Sequence, residues 1–287
     1  MFKNQRGFTY NKIETICLFM FIISRQTFRA IPEYSSIWPI FRLLFYVVVF
    51  FELLRRPVIH KNRFFRWAAM FLILSIVFSL FSPYFDNAFD RWCETALVFL
   101  DVAIVFVFCQ YDNNRTELPF WALSISGIII VILMLGNFDS HSIVNTGVNY
   151  LIQTRMSLSE YENPNITAYK LLFSLMSTCY LVQFKKINFK LGAAIILFLF
   201  AGMVLTGSRK TFLIMLPALA ILFMGGKKKT LKIITVIILV YLSYYLVMNN
   251  AVLYNIIGWR LERTGDTDAS SLERTELMIG AIKIGFS

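Results

Sequence analysis

The chain has 287 residues, of which 57% are hydrophobic and 16% are charged, and its formal net charge is +11. An ordinary soluble domain has about 25% charged residues, and its core would not bury 29 phenylalanines at this length. The composition therefore excludes a disordered chain, a fibrous repeat and a typical soluble enzyme. It predicts a protein that lies mostly within a lipid bilayer.

The basic excess would suggest nucleic-acid binding in a soluble protein. In a membrane protein it has a simpler origin, because Lys and Arg are retained in cytoplasmic loops, so we expect no nucleic-acid partner. The four cysteines are widely separated and show no CxxC spacing. We therefore expect no disulfide framework and no zinc site. Separately, we expect no cofactor and no bound metal.

Nine apolar segments predict an all-α, polytopic helical bundle, because only helices satisfy their own backbone hydrogen bonds in lipid. We expect a transmembrane domain over residues 1–248 and an extracytoplasmic segment over 249–287. Apolar residues 277–286 predict the start of a tenth helix, so we expect the chain to be truncated at Ser287. The nine segments are 13–31, 37–54, 64–82, 92–109, 118–135, 164–184, 191–206, 211–226 and 231–248.

The distribution of basic residues predicts the orientation. The N-terminus and four alternate loops hold 16 Lys and Arg, whereas the other short loops hold six. Because the more basic set stays inside, the N-terminus is expected in the cytoplasm, and nine crossings then place the tail outside. The four basic loops are 55–66, 110–117, 185–190 and 227–232.

The sixth segment is expected to begin at Asn163-Pro164-Asn165 on the outer face. Asn suits the N-cap and Pro suits the first helical position. Lys170 follows within the same segment, where an ionisable group usually faces a partner or a cavity. The alternative is that the Lys170 ammonium reaches outward to lipid headgroups.

Two further outer regions carry groups that can bind an anion. Gly207 and Ser208 are expected to offer free backbone N–H groups at a helix N-terminus, beside the cations of Arg209 and Lys210. The alternative is a capped turn with solvated charges. The tail carries three arginines whose forks can pair with phosphate, or which pair with nearby glutamates instead. They are Arg260, Arg263 and Arg274.

The order and common side of these motifs resemble the bacterial O-antigen polymerase and O-antigen ligase superfamily. The likeness rests on Asn163-Pro164-Asn165 with Arg155 upstream, on Gly207-Ser208-Arg209 before a late helix, and on an outer Asp-x-Ser-Ser-x-x-Arg274 pattern. It covers about residues 150–287. Upstream of this region only the predicted topology agrees with the family.

The resemblance implies a glycosyltransferase of the bacterial plasma membrane that polymerises O-antigen or capsular repeat units. Its donor would be an undecaprenyl-diphosphate-linked oligosaccharide, and membrane lipid and a chain-length regulator protein are expected partners. Arg155, Arg209 and Arg274 would be catalytic and would neutralise the leaving diphosphate. The expected substrate-binding residues are Gly207, Ser208, Lys210, Asn163, Asn165, Lys170, Arg260 and Arg263.

Polymerase and ligase remain alternatives. A ligase-type member uses a histidine in a large outer loop, and the base here stays open among His141, Glu160 and Glu162. If the chain ends at Ser287, we expect it to be inactive.

Two other classes also remain open. Asp266-Thr-Asp268 has the Asp-x-Asp form of metal-dependent, nucleotide-sugar transferases. A transporter would use ionisable groups in or near the segments, such as Arg42, Lys170 and Asp101. We expect Asp101 to be buried and paired with a basic group from another helix.

Overall fold

A computed structural model describes residues 7–55, 63–81, 85–110, 113–136, 157–159 and 162–208, with scattered positions between 211 and 249. All regular structure in these residues is helical. Short 3-10 turns at Phe28–Ala30, Pro32–Tyr34 and Asn113–Glu117 lie between α-helices. Within the described ranges the α-helices are α1 Gly7–Gln26, α2 Ile37–Arg55, α3 Arg63–Leu80, α4 Phe85–Gln110, α5 Leu118–Gly136, α6 Pro164–Gln183 and α7 Phe189–Leu205.

These helices coincide with seven of the nine predicted segments, so the all-α prediction is confirmed over the described residues. The segments 211–226 and 231–248 lie almost wholly outside them. Among the described residues, three helices are both long and apolar enough to cross a membrane, namely Pro32–Leu54, Phe85–Gln110 and Arg115–Gly136. The described residues therefore support a helical membrane protein and do not support the full number of nine crossings.

The chain divides into two compact units. Unit 1 contains residues 1–129 and 180–192, and unit 2 contains residues 130–179 and 193–287. The predicted extracytoplasmic segment, 249–287, lies outside the described residues apart from Asn249.

The core of unit 1 consists of aromatic and aliphatic side chains from α1, α2 and α4. Phe21 of α1 stacks on Phe45 of α2 with ring centroids 5.1 Å apart. Phe45 in turn meets Phe108 of α4 edge-on at 5.5 Å. Leu18 and Val49 complete this buried cluster with neighbouring residues. Dispersion contacts and apolar burial therefore hold these three helices together.

Helix α3 packs along α4 and leaves a broad apolar face open. The indole Nε1 of Trp92 donates to the carbonyl oxygen of Leu72 at 2.9 Å, and Phe65 meets Phe106 edge-on at 5.1 Å. Phe78 is nevertheless 73% exposed. An open face of this kind suits contact with lipid tails, because a bilayer imposes no penalty on apolar surface.

In unit 2, three helix ends meet at a glycine. A Cβ atom added to Gly202 would lie 2.5 Å from Cγ2 of Val131 and 3.3 Å from Cδ1 of Leu171. Small residues let membrane helices approach closely in this way. The last turns of α5 and α7 therefore lie beside the second turn of α6. We call this region the shared helix end, defined by Val131, Leu171 and Gly202.

Candidate functional site

The start of α6 has the capped geometry that the sequence predicts. The Asn163 side-chain oxygen accepts a hydrogen bond from the backbone N–H of Asn165 at 2.9 Å. The Asn163 carbonyl accepts from the N–H groups of Ile166 at 2.8 Å and Thr167 at 3.3 Å. Pro164 occupies the first helical position, where its missing N–H leaves no bond unmade. The helix therefore begins where expected.

Lys170 faces a side chain of the same protein. Of the two predicted alternatives, this favours an ion-pair partner over lipid headgroups. Its ammonium forms an ion pair with Glu162, and the two side chains are 15% and 8% exposed. The hydroxyl of Thr167 donates to the other Glu162 oxygen at 2.7 Å and accepts from the backbone N–H of Leu158 at 3.2 Å. These bonds tie the segment before α6 to the first two turns of the helix.

Glu162 is correspondingly disfavoured as the general base. Both of its oxygens are engaged, one by Lys170 and one by Thr167. A general base needs an oxygen that the attacking hydroxyl can approach, and these contacts occupy both oxygens. Glu160 and His141 lie outside the described residues, so they keep their predicted roles without a structural test.

The turn after α7 differs from the predicted anion site. Gly207 has a φ of 59°, a left-handed conformation that ends helices and favours glycine. Its backbone N–H donates to the carbonyl of Val204 at 3.0 Å. The prediction that Gly207 offers a free N–H group is therefore wrong, because the amide completes the C-terminal cap of α7.

Ser208 is also built into the protein interior. Its hydroxyl lies 2.9 Å from the hydroxyl of Thr211 in a hydrogen bond, and the residue is 1% exposed. This arrangement matches the capped-turn alternative for these two residues. The adjacent cations Arg209 and Lys210 lie outside the described residues.

The described members of the predicted site lie on or next to two of the helices that meet at the shared helix end. Asn163, Asn165 and Lys170 belong to the start of α6, and Gly207 and Ser208 follow the end of α7. The contact between Gly202 and Leu171 places these helix ends on the same side of unit 2. The remaining predicted residues lie outside the described part of the chain. They are Arg155, Arg209, Lys210, Arg260, Arg263 and Arg274.

Unit 1 contains a buried ionic cluster around Asp101, as expected from the sequence. An oxygen of Asp101 lies 2.7 Å from Arg25 of α1, and the other lies 2.9 Å from Arg42 of α2. The Tyr46 hydroxyl donates to Asp101 at 2.5 Å. Asp101 is 2% exposed. The prediction of a buried carboxylate paired across helices is confirmed, and we call these four residues the Asp101 cluster.

A second ionic cluster was not anticipated. The sequence places Arg115 in the basic loop 110–117, but the residue is buried between two carboxylates. It lies 2.8 Å from both oxygens of Glu52 and 2.5 Å from Glu14. Its guanidinium carbon lies 4.7 Å from the Phe108 ring centroid. We call Arg115, Glu14 and Glu52 the Arg115 cluster.

The signal for the Arg115 cluster was present in the sequence. Glu14 and Glu52 fall inside apolar segments, and the rule that identified Asp101 applies equally to them. Glu14 and Arg25 are 11 residues apart on α1, which corresponds to about 16 Å along a helix. On α2 the two clusters occur in the reverse order, so α1 and α2 are antiparallel. Consecutive membrane crossings require this reversal.

The fold and its buried charges define a helical membrane protein whose unit 1 is fastened by ion pairs between helices. Comparison with models of protein families, with characterised proteins and with solved structures finds no match for this chain. Among the described residues no group of three or more His, Cys, Asp and Glu could hold a metal ion. Asp266 and Asp268 lie outside those residues.

Proposed function

We propose that the chain belongs to a membrane glycosyltransferase that polymerises O-antigen or capsular repeat units at the outer face of a bacterial plasma membrane. The donor is an oligosaccharide on undecaprenyl diphosphate. The proposed topology has nine crossings, with the N-terminus in the cytoplasm and the tail outside. Transfer to a different acceptor, as in the ligases of the same superfamily, is the alternative reaction.

The observation that carries the proposal is the shared helix end. Two motifs far apart in the sequence, Asn163-Pro164-Asn165 and Gly207-Ser208-Arg209, each adjoin a helix that reaches this end. Arg155 precedes the first motif and Arg209 belongs to the second. A diphosphate at a membrane surface needs several cations converging on one side, and this arrangement supports such convergence.

The proposed reaction is a displacement at the anomeric carbon of the donor sugar. A hydroxyl of the acceptor attacks this carbon, and the bond to the diphosphate oxygen breaks as the new glycosidic bond forms. Arg155, Arg209 and Arg274 neutralise the charge that develops on the departing diphosphate. The hydroxyl proton passes to a base, for which Glu160 and His141 are the remaining candidates.

The described residues have a positioning role in this proposal. The positive charge of Lys170 is balanced by Glu162, so the arginines must supply the charge that binds diphosphate. The bond between Leu158 and Thr167 anchors the segment that follows Arg155. Gly207 caps the C-terminal end of α7 two residues before Arg209.

The main sequence feature of the transporter alternative also has a structural explanation. Asp101 was the best candidate for a group on an ion pathway, but two arginines and Tyr46 engage it. A carboxylate that fastens three helices in this way has a structural explanation, and no further role is needed to account for its burial.

The test is polysaccharide chain length in cells that lack their own polymerase and express the complete reading frame. Arg209→Lys keeps the charge but loses the bidentate fork. Loss of a charge-assisted hydrogen bond should reduce the rate of transfer about 10- to 100-fold. Arg209→Ala should reduce the rate further. Lys210→Ala should lose less. Arg91→Ala is the matched control, since Arg91 is 83% exposed at the start of α4. Normal chains from Arg209→Ala, at equal abundance in the membrane, would remove Arg209 from the site.

The proposed topology has an independent test. Single cysteines at Asn145 and Lys228, in a chain without its native cysteines, should label from opposite sides of the membrane. An impermeant thiol reagent should modify position 145 in intact cells and modify position 228 only after permeabilisation. The reverse labelling pattern would overturn the outward assignment of every proposed catalytic arginine.

A further inference from the structure

Three guanidinium groups gather where α1 ends and α2 begins. Arg25 lies in the last turn of α1, Arg29 in the connecting turn, and Arg42 in the second turn of α2. The guanidinium carbons of Arg42 and Arg29 lie 5.0 Å and 5.8 Å from the ring centroid of Trp38. Arg29 and Arg42 therefore lie beside one indole ring, and Arg42 shares the carboxylate of Asp101 with Arg25.

The charges in this group do not balance. Asp101 is shared by Arg25 and Arg42, so the three guanidinium groups exceed the paired negative charge by two. Glu33 lies on the same connecting segment and is exposed, and it takes part in none of the ion pairs formed by the described residues. An excess of positive charge at the edge of a low-dielectric region favours binding of an anion.

The geometry leaves the arginines open to a ligand. Asp101 is 2% exposed, whereas the side chains of Arg25 and Arg42 are 22% and 15% exposed. The carboxylate therefore lies beneath the guanidinium groups. Arg42 uses Nε toward Tyr46 and Asp101 and Nη2 toward the carbonyl of Leu97. A guanidinium has five N–H donors, so these contacts leave donors of Arg42 for another acceptor.

The position along the helices indicates the ligand. These residues lie at or beside the connection between α1 and α2. Helix α2 is long and apolar enough to cross a membrane, and the end of such a helix lies near the lipid headgroups. Tryptophan is enriched at this depth, and the arginine fork matches the geometry of phosphate oxygens. We propose that Arg25, Arg29 and Arg42 bind the phosphate group of a membrane lipid beside Trp38. The site lies entirely in unit 1 and shares no residue with the proposed glycosyl-transfer site.

The test is lipid binding by the purified full-length chain in an uncharged detergent, measured by native mass spectrometry. Phosphatidic acid is the probe, and diacylglycerol with the same acyl chains is the control without phosphate. We expect one tightly retained phosphatidic acid and no comparable retention of diacylglycerol. Inorganic phosphate is added as a competitor. Displacement by it identifies free phosphate as an equivalent ligand, and failure to displace identifies the lipid as the source.

The variants separate this site from a general surface charge effect. Arg29→Gln should weaken phosphatidic acid binding about fivefold, as expected for one basic residue near a membrane surface. Arg29 is exposed and belongs to none of the ion pairs among the described residues, so this variant should fold normally. Arg91→Gln removes another exposed arginine and should change binding less than twofold. Equal losses in the two variants, or wild-type binding by Arg29→Gln, would overturn the proposal.

Asp101→Asn should have the opposite effect on phosphatidic acid binding. The substitution keeps the side-chain shape and removes the negative charge that competes for Arg25 and Arg42. Binding of phosphatidic acid should tighten at least threefold, as expected when one unit of competing charge is removed from a site of this kind. If the variant is poorly folded, phosphatidic acid should raise its melting temperature more than that of the wild type. Weaker binding in a folded Asp101→Asn protein would contradict the proposal.

Discussion

Unit 1 and unit 2 bury polar groups in two different ways. Unit 1 buries hydroxyls such as those of Ser24 and Ser126, and it also buries two clusters of charged groups. Each cluster joins α1 and α2 to α4 or to the turn that follows it. In unit 2 the buried groups of α6 are mainly hydroxyls. Ser174, Ser177 and Thr178 donate to carbonyls one turn earlier in their own helix, at 3.0, 2.8 and 2.9 Å.

The difference determines what holds each unit in register. An ion pair between helices breaks if one helix slides or rotates by a turn, so the two clusters of unit 1 fix helix positions at two levels. A hydroxyl bonded within its own helix is satisfied in any register. Among the described residues of unit 2, packing therefore positions α5, α6 and α7 relative to one another, and the close approach at Gly202 has that role.

The largest expected effect comes from breaking the Arg115 cluster. Arg115→Leu leaves the carboxylates of Glu14 and Glu52 in the protein interior without their cation. Removing one partner of a buried pair costs about 3–5 kcal/mol, so the variant should fold poorly or lose that much free energy of unfolding. The measurement is reversible denaturation of the purified protein in detergent.

Two controls sharpen this prediction. Arg91→Leu breaks an exposed pair with Glu94, whose side chains are 83% and 61% exposed, and should cost less than about 1 kcal/mol. Changing Glu14 and Glu52 to Gln together with Arg115→Leu removes all three charges and should recover most of the loss. A stable Arg115→Leu protein would show that these charges reach water.

The Asp101 cluster should give a smaller loss. Asp101→Leu leaves Arg25 and Arg42 without their shared carboxylate, but both side chains are partly exposed and can be solvated. We expect a decrease of about 2–3 kcal/mol, below the full cost of a sealed unpaired charge. Thermal melting and folded yield are the measurements. A rise in melting temperature would mean that Asp101 is not paired in the membrane.

The smallest effect is expected from packing in unit 2. The Cβ of Gly202→Ala would lie 2.5 Å from Val131 Cγ2, and the β-branched Val131 side chain has few rotamers available in a helix. Overpacking of this kind costs about 1–3 kcal/mol. Part of this is offset because alanine favours the helix by about 1 kcal/mol relative to glycine.

Gly136→Ala is the matched control, since nothing lies within 4 Å of the added atom. It should be neutral or slightly stabilising. The double variant Gly202→Ala with Val131→Ala should recover stability by removing the overlap. If Gly202→Ala alone is as stable as the wild type in thermal melting, the contact at the shared helix end is looser than described.

The comparison also shows which features the sequence could predict. The predicted starts and ends of α2, α5 and α6 are close to those observed. Apolar runs bounded by polar residues, and an Asn-Pro pair at a helix start, mark these helix boundaries locally. Asp101 could be predicted as paired for a similar reason, since an isolated carboxylate in an apolar segment is too costly to leave alone. Its partners could not be predicted, because they depend on which helices are neighbours.

The local sequence pattern gave a wrong prediction where the folded chain supplies a group with an unexpected hydrogen-bond partner. Arg115 was counted as a loop cation because its neighbours are polar, yet tertiary packing buries it between Glu14 and Glu52. Gly207 was expected to present a free N–H to an anion, yet that amide closes α7. In both cases the hydrogen-bond partner is set by geometry beyond the local pattern.

The sequence by itself determined that this is a helical membrane protein. Its composition and the length of its apolar segments reflect the lipid that surrounds the helices and do not depend on how the helices pack. It also determined the N-cap of α6, since the Asn163 side chain reaches the start of its own helix wherever that helix lies. Only the tertiary structure decided that Asp101 joins Arg25 to Arg42 and that Glu162 neutralises Lys170. Pairings of this kind arise from the approach of separate segments, because a charge in an apolar environment accepts whichever opposite charge the packing brings within reach.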